Sequence, residues 1–178
     1  MTSPYAFFQY WLNTDDKDVI NFLKVFSFKS HEEITALENA HKENPGLREA
    51  HRALARELTA LVHSHATTDR VEAAAKALFG QGDLTELDEE TLAGALAELP
   101  RTTVSKNDAI PTWVDLLAAT GVVDSKSAAR RIIKEGGAYL NNEKISGEDF
   151  APQKSDFLCG KYAVLRKGKR DLAAVELI

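Results

Sequence analysis

Residues 125–145 read SKSAARRIIKEGGAYLNNEKI. Ser125 is a helix N-cap residue, and a helix beginning after it carries Ala129, Ile132 and Ile133 along one apolar stripe. Lys126, Arg130 and Lys134 repeat at four-residue steps on another face, with Arg131 beside them. Like charges at that spacing repel, costing about 0.2–0.5 kcal/mol per pair, so the stability of an isolated helix does not account for them. An anionic partner would; an ordinary solvated face is the alternative. The pair Gly136-Gly137 permits left-handed backbone and a sharp exit from the helix. Asn141-Asn142 then suits a tight turn that returns Lys144 towards the cationic side.

The flanking sequence makes this stretch part of a small α+β domain. Upstream, TWVDLLAATG reads as a helix closed by Gly121. Downstream, KYAVLRKGKRDLAAVELI places two apolar-rich segments around Lys167-Gly168-Lys169, the pattern of a β-hairpin. Arg166, Lys167, Lys169 and Arg170 form a second cationic cluster at its tip, with Tyr139 and Tyr162 close in sequence. Helix cations, the amides of a capped helix start and a basic hairpin together suit phosphate and ribose.

Before residue 100 the texture differs. Apolar residues recur at three- and four-residue spacing, caps fall where helices should start, and strand-like alternation is absent. Ser3-Pro4 opens the helix YAFFQYWLN. The next helix aligns Val19, Ile20, Leu23 and Phe26, and Ser30 with Glu33 makes a capping box before ITALENAHKE. Asn44-Pro45 is expected to start the longest helix, with Leu47, Leu54, Leu58, Leu61 and Val62 buried. DRVEAAAKALFG, capped at Gly80, and DEETLAGALAEL, ending at Pro100, complete the set. The expected fold is an all-α helical bundle over 1–99, a linker over 100–110 around PRTTVSKNDAIP, and the α+β domain over 111–178.

Charge supports the division. The net charge is −5, but residues 1–109 sum to −7 and residues 110–178 to +2, a hint that the second part meets nucleic acid. The composition, 44% hydrophobic and 28% charged, supports a folded chain with a real core. No apolar run approaches the roughly 20 residues that span a bilayer, and the start lacks the order of a signal peptide, so a cytoplasmic location is expected. The single cysteine, Cys159, excludes an internal disulfide and a multi-cysteine zinc site, and is expected to be a packing residue. His31, His41, His51, His63 and His65 lack ligand spacing, so no metal site is expected. The acid pairs Asp15-Asp16 and Glu89-Glu90 lie near helix starts, where the helix dipole explains them.

Residues 125–145 followed by a terminal hairpin closely resemble the alpha-L motif of the S-four-type RNA-binding domain, so residues 111–178 are read as S-four-like. That resemblance implies contacts to structured RNA from Ser125, Lys126, Arg130, Arg131, Lys134, Asn141 and Lys144, joined by Arg166, Lys167, Lys169 and Arg170 of the hairpin. TSPYAFFQYWLNTDDKDVINFLKVFSF and LREAHRALARELTALVH resemble the helical anticodon-binding domain of bacterial tyrosyl-tRNA synthetases. In that family the order is catalytic domain, helical domain, S-four-type domain, and this chain resembles the last two. The resemblance implies a partner, tyrosine tRNA, and anticodon contacts near Ser3, Tyr5 and Gln9, with core packing the competing role for Tyr5. It also implies that the whole enzyme is a homodimer through its catalytic domain and this part a monomer.

The HIGH and KMSKS signatures of class I catalytic domains are not found in these residues, so this part is expected to be inactive by itself. No cofactor is expected here; ATP and magnesium belong to the catalytic domain. TVSKND, around Lys106, only approaches KMSKS and lies in the expected linker. Two other readings stand beside this one. One is an S-four-containing RNA-modifying enzyme, which would need a sheet-rich catalytic domain; the other is a noncatalytic protein-interaction bundle with an RNA-binding appendage.

Overall fold

A computed structural model describes residues 2–147 and 151–178 and divides the chain into two compact units, residues 1–72 and 73–178. The first unit is helical. Helix α1 (Pro4–Leu12) begins where the Ser3 hydroxyl accepts the Ala6 amide at 3.1 Å, with proline at the first position that needs no amide donor. Helix α2 (Val19–Phe26) follows, and α3 (His31–Glu43) starts at the complete Ser30–Glu33 capping box.

Pro45 does not open the longest helix. Pro45–Leu47 is one turn of 3-10 helix, Arg48 takes a left-handed backbone (φ 52°), and α4 runs Glu49–His63. Its buried stripe is accordingly Ala50, Leu54 and Leu58, at four-residue steps, together with His51, Ala55 and Thr59. Leu47, Leu61 and Val62 are more than half exposed, correcting the expected face: the first precedes the helix and the others extend past the stripe that the core uses. Val19, Leu23 and Ile34 close that core with Ala50, Leu54 and Leu58, and Phe7, Trp11, Ile20, Phe22 and Leu37 pack around it. Phe26 stays at the rim, where its ring meets Trp11 and Phe22. Helix α5 (His65–Leu78) starts earlier than expected and contains the division between the units.

In the second unit, α6 (Glu89–Leu96) is capped by Asp88, and β1 (Arg101–Val104) follows. Helices α7 (Trp113–Ala119) and α8 (Lys126–Lys134) precede β2 (Ala138–Leu140), β3 (Glu143–Lys144), β4 (Tyr162–Lys167) and β5 (Asp171–Leu177). The strands form one sheet in the order β1-β5-β4-β2-β3. Two hairpins are built as the turn residues require. Asn141 and Asn142 both hold positive φ, 46° and 73°, as a two-residue turn between β2 and β3 demands, and Gly168 (φ 61°) begins the turn between β4 and β5.

The stretch 100–110, expected as a linker, is partly sheet. Arg101–Val104 pairs in parallel with Ala174–Leu177, leaving the Val104 side chain buried and Arg101 exposed. A Thr-Thr-Val run is good strand material, and an edge position tolerates its polar half. The main core gathers Trp113, Leu116 and Leu117 of α7, Ala129 and Ile133 of α8, and Leu165, Ala173 and Val175 of the sheet. Ile132 packs at its margin, half-buried. Cys159 is exposed in the turn before β4 with a left-handed φ of 52°, so it is not the packing residue expected. Among the described residues no helix is long and apolar enough to cross a membrane.

Candidate nucleic-acid interface

Helix α8 is positioned at both ends by local chemistry. Ser125 Oγ accepts the Ala128 amide at 3.1 Å, which closes the N-terminus. At the other end the Gly137 amide reaches Ile132 O at 2.8 Å and the Gly136 amide reaches Ile133 O at 3.0 Å, a Schellman arrangement with Gly136 left-handed at φ 68°. Gly137 has no room for a side chain, because a Cβ there would lie 2.9 Å from Ile132 Cγ1. Its carbonyl accepts the Gly168 amide at 2.8 Å. That bond ties the tip of the β4–β5 hairpin to the end of α8 and so joins the two cationic clusters.

Burying Ala129 and Ile133 directs Arg130, Arg131 and Lys134 outward, and all three are exposed. Lys144 is exposed too; its Nζ lies 3.6 Å from where a Cβ on Gly136 would stand. An ammonium group there faces the C-terminal turn of α8, where the helix dipole favours positive charge. Lys169 and Arg170 are exposed in the hairpin turn.

Several further candidate residues make contacts within the fold. Lys126 Nζ sits 2.8 Å from Asp115, whose carboxyl is held below the usual carboxylate range by hydrogen bonds from Lys126 and then from Thr112. Lys167 Nζ donates to Val122 O at 3.3 Å and pairs with Asp171 at 3.5 Å. Such exposed pairs contribute at most about 1 kcal/mol, so both lysines can still change partners. Arg166 places its guanidinium 4.1 Å from the centre of the Tyr139 ring, its cross-strand neighbour, and donates to Gly168 O at 2.7 Å. Asn141 is used inside the fold: its amide donates to Asp156 O at 2.7 Å and its side-chain oxygen accepts the Val164 amide at 2.9 Å.

The three candidates on α1 are also engaged. Ser3 caps the helix. Tyr5 is buried, and burial pushes its hydroxyl up to about 12 against the opposing effect of a hydrogen bond with Gln9. The exposed aromatic ring of α1 is Tyr10. Sequence reasoning also missed a meeting of Asp16 with His41 and His51, residues far apart along the chain, whose only sequence signal is their residue type.

Two family models match the chain. Residues 1–80 match tRNA synthetases class I (W and Y), and residues 91–175 match the tyrosine–tRNA ligase SYY-like C-terminal domain. The tyrosine–tRNA ligase of Streptomyces avermitilis is 60% identical over 177 residues, which is 99% of this chain and 41% of the relative. The chain belongs to the tyrosine–tRNA ligase family. Other members are as extensively alike: the Corynebacterium glutamicum enzyme is 48% identical and the Mycobacterium bovis enzyme 52%, each over all of this chain and 42% of its own length. The chain thus spans about two-fifths of the length of the tyrosine–tRNA ligases it matches. Among solved structures, a C-terminally truncated Aspergillus nidulans mitochondrial tyrosyl-tRNA synthetase aligns with 44% of this chain and 23% of its own, at 33% identity and a TM-score of 0.43.

Proposed function

We propose that this chain is a tRNA-binding part of a tyrosine–tRNA ligase and holds tyrosine tRNA for ATP-dependent charging at a catalytic domain outside these residues. The observation that carries the reading is the exposed set Arg130, Arg131, Lys134 and Lys144, joined to the Lys169-Arg170 turn by the Gly168–Gly137 bond. Three cations on a capped helix, one on the nearby strand β3 and two in the hairpin turn suit phosphates spaced along a folded RNA backbone, and they position the RNA without reading bases. Arg166, flattened on Tyr139, adds a planar cation at the margin of the same set.

The helical unit takes the anticodon region. Because Ser3, Tyr5 and Gln9 are occupied within α1, the exposed Tyr10 ring is the group there that can stack on an unpaired base. ATP and magnesium act at the catalytic domain, so the chain by itself neither exchanges pyrophosphate nor charges tRNA. It works in the cytoplasm as part of an enzyme that dimerises elsewhere, and is itself monomeric. Sedimentation of the purified chain checks the last point: a concentration-independent dimer would contradict it.

The central test is a titration with tyrosine tRNA at two salt concentrations. Affinity should fall steeply with salt, and each cation removed should reduce the slope of log affinity against log salt by about 0.7–0.9. Unchanged affinity and slope in an Arg130→Ala, Lys134→Ala protein that still melts normally would place the RNA elsewhere.

A further inference from the structure

The α1–α2 loop is fastened to α3 and α4 by side chains that RNA binding does not use. Arg48 donates to Leu12 O at 2.6 Å, His51 Nε2 lies 3.1 Å from Thr14 O, and His41 Nε2 lies 3.1 Å from Asp16 O. His51 Nε2 is also 3.2 Å from the Asp16 carboxylate, and the two imidazole rings stand 5.5 Å apart. One donor atom from each of Asp16, His41 and His51 lies within 4.8 Å of the other two.

The protonation pattern is informative. A carbonyl oxygen only accepts, so each Nε2 must carry the proton that it shares with Thr14 O or Asp16 O. Each Nδ1 is then a lone pair, and both Nδ1 atoms are buried without a hydrogen-bond partner. His51 as a whole has no solvent exposure. Two buried imidazole lone pairs that no donor satisfies are unusual for a purely structural cluster, and the Asp16 carboxylate, 3.2 Å from His51 Nε2, would join them by a shift of its own exposed side chain.

We propose that Asp16, His41 and His51 bind a borderline divalent transition-metal ion of the zinc class, which clips the α1–α2 loop onto the end of α3 and the start of α4. Two imidazoles and one carboxylate suit zinc, cobalt or nickel, whereas magnesium and calcium prefer all-oxygen sets. Ligands about 2.0–2.1 Å from zinc stand about 3.4 Å apart in a tetrahedron. The three donor atoms are already within 4.8 Å, and the remaining approach falls to Asp16, on the loop with its side chain 61% exposed. That exposure also gives the ion a route in and leaves the fourth position to water. On the same loop Asp15 pairs with Lys17 at 3.7 Å. This inference is independent of the tRNA reading, because it concerns different residues and needs no RNA.

The test uses the whole chain, washed with chelator, titrated with cobalt to follow its visible bands and with zinc by competition with a chromophoric chelator. One equivalent should bind, zinc should displace cobalt, and zinc but not magnesium should raise the melting temperature. Asp16→Asn and His41→Gln should each weaken zinc binding by about tenfold or more, while His31→Gln and His63→Gln leave it unchanged. His51→Ala is a poor probe because it opens a buried cavity; the Asp16→Asn, His41→Gln double variant decides the matter without it. The proposal is overturned if no saturable binding is found in the micromolar range, or if one equivalent still binds as tightly to that double variant.

Discussion

Helices α1 and α8 both carry polar residues proposed to meet RNA, yet they use those residues in opposite ways. On α1, Ser3 closes the helix and Tyr5, bonded to Gln9, lies in the packed interior, so the polar groups are consumed by the fold. On α8, Ala129 and Ile133 are buried in the core with Ala128 and Ile132 at its margin, and Arg130, Arg131 and Lys134 are exposed. A hydroxyl or amide can serve either packing or a ligand. A row of like charges has little internal use, and so it is the more informative signal of a partner.

The contrast can be broken most forcefully at the core. Ile133→Ala should cost about 2–5 kcal/mol by opening space under α8, as Leu54→Ala should in the helical unit. Urea melts give the cost, and tRNA affinity per folded molecule should survive the first substitution. Should Ile133→Ala change affinity without changing stability, the division of α8 into a packing face and a binding face is wrong.

Next in size is Gly137→Ala, which forces a methyl group against Ile132 and should cost about 1–3 kcal/mol. Since Gly137 also holds the hairpin through Gly168, this variant should lose affinity as well as stability. A variant that melts normally and binds normally would show that the end of α8 does not organise the cationic set.

Smaller stability changes are expected on the cationic face. Arg130→Ala, Arg131→Ala and Lys144→Ala should each stay within about 0.5 kcal/mol in melting experiments. Each should nevertheless weaken tRNA binding. Lys126→Ala and Lys167→Ala should weaken it less than Arg131→Ala and Lys144→Ala, because Asp115 and Asp171 already compensate those charges. Equal losses at all five positions would show that the ion pairs are given up on binding.

The mildest effect is one of pH on the helical unit. Burial, and then the Arg48 charge, lower the proton affinity of His51, while Asp16 opposes them. The unfolded chain therefore takes up a proton at a higher pH than the folded one. The His51 contribution is present in full above the ordinary value of 6.5 and is lost as the pH falls through the lower folded value. Urea midpoints measured across that range should decline towards acid, and His51→Gln should remove part of the decline. A midpoint that rose on acidification would mean that the Asp16 pairing dominates.

Much of the fold was legible because its signals are short-range. Ser3, Ser30 and Ser125 each cap the helix that follows, the capping box needs only Glu33 three residues away, and Asn141-Asn142 forms its turn from its own backbone preference. The exposed face of α8 was equally plain from its four-residue period. Less visible were the ion pairs of two candidate cations, since Asp115, the partner of Lys126, lies on another helix and Asp171, the partner of Lys167, on another strand.

The sequence by itself determined the helical character of the first part, the helix–hairpin–hairpin order around residues 125–178, and the outward row of cations. Caps, turns and hydrophobic period act within a few residues, so nothing distant is needed to read them. Only the tertiary structure decided that Arg101–Val104 joins β5 as an edge strand, that Leu61 and Val62 remain outside the core, and that Asp16 meets His41 and His51. Each depends on which strand edge or helix face is left open after the rest has packed, a condition set by the folded chain as a whole and written in no single segment.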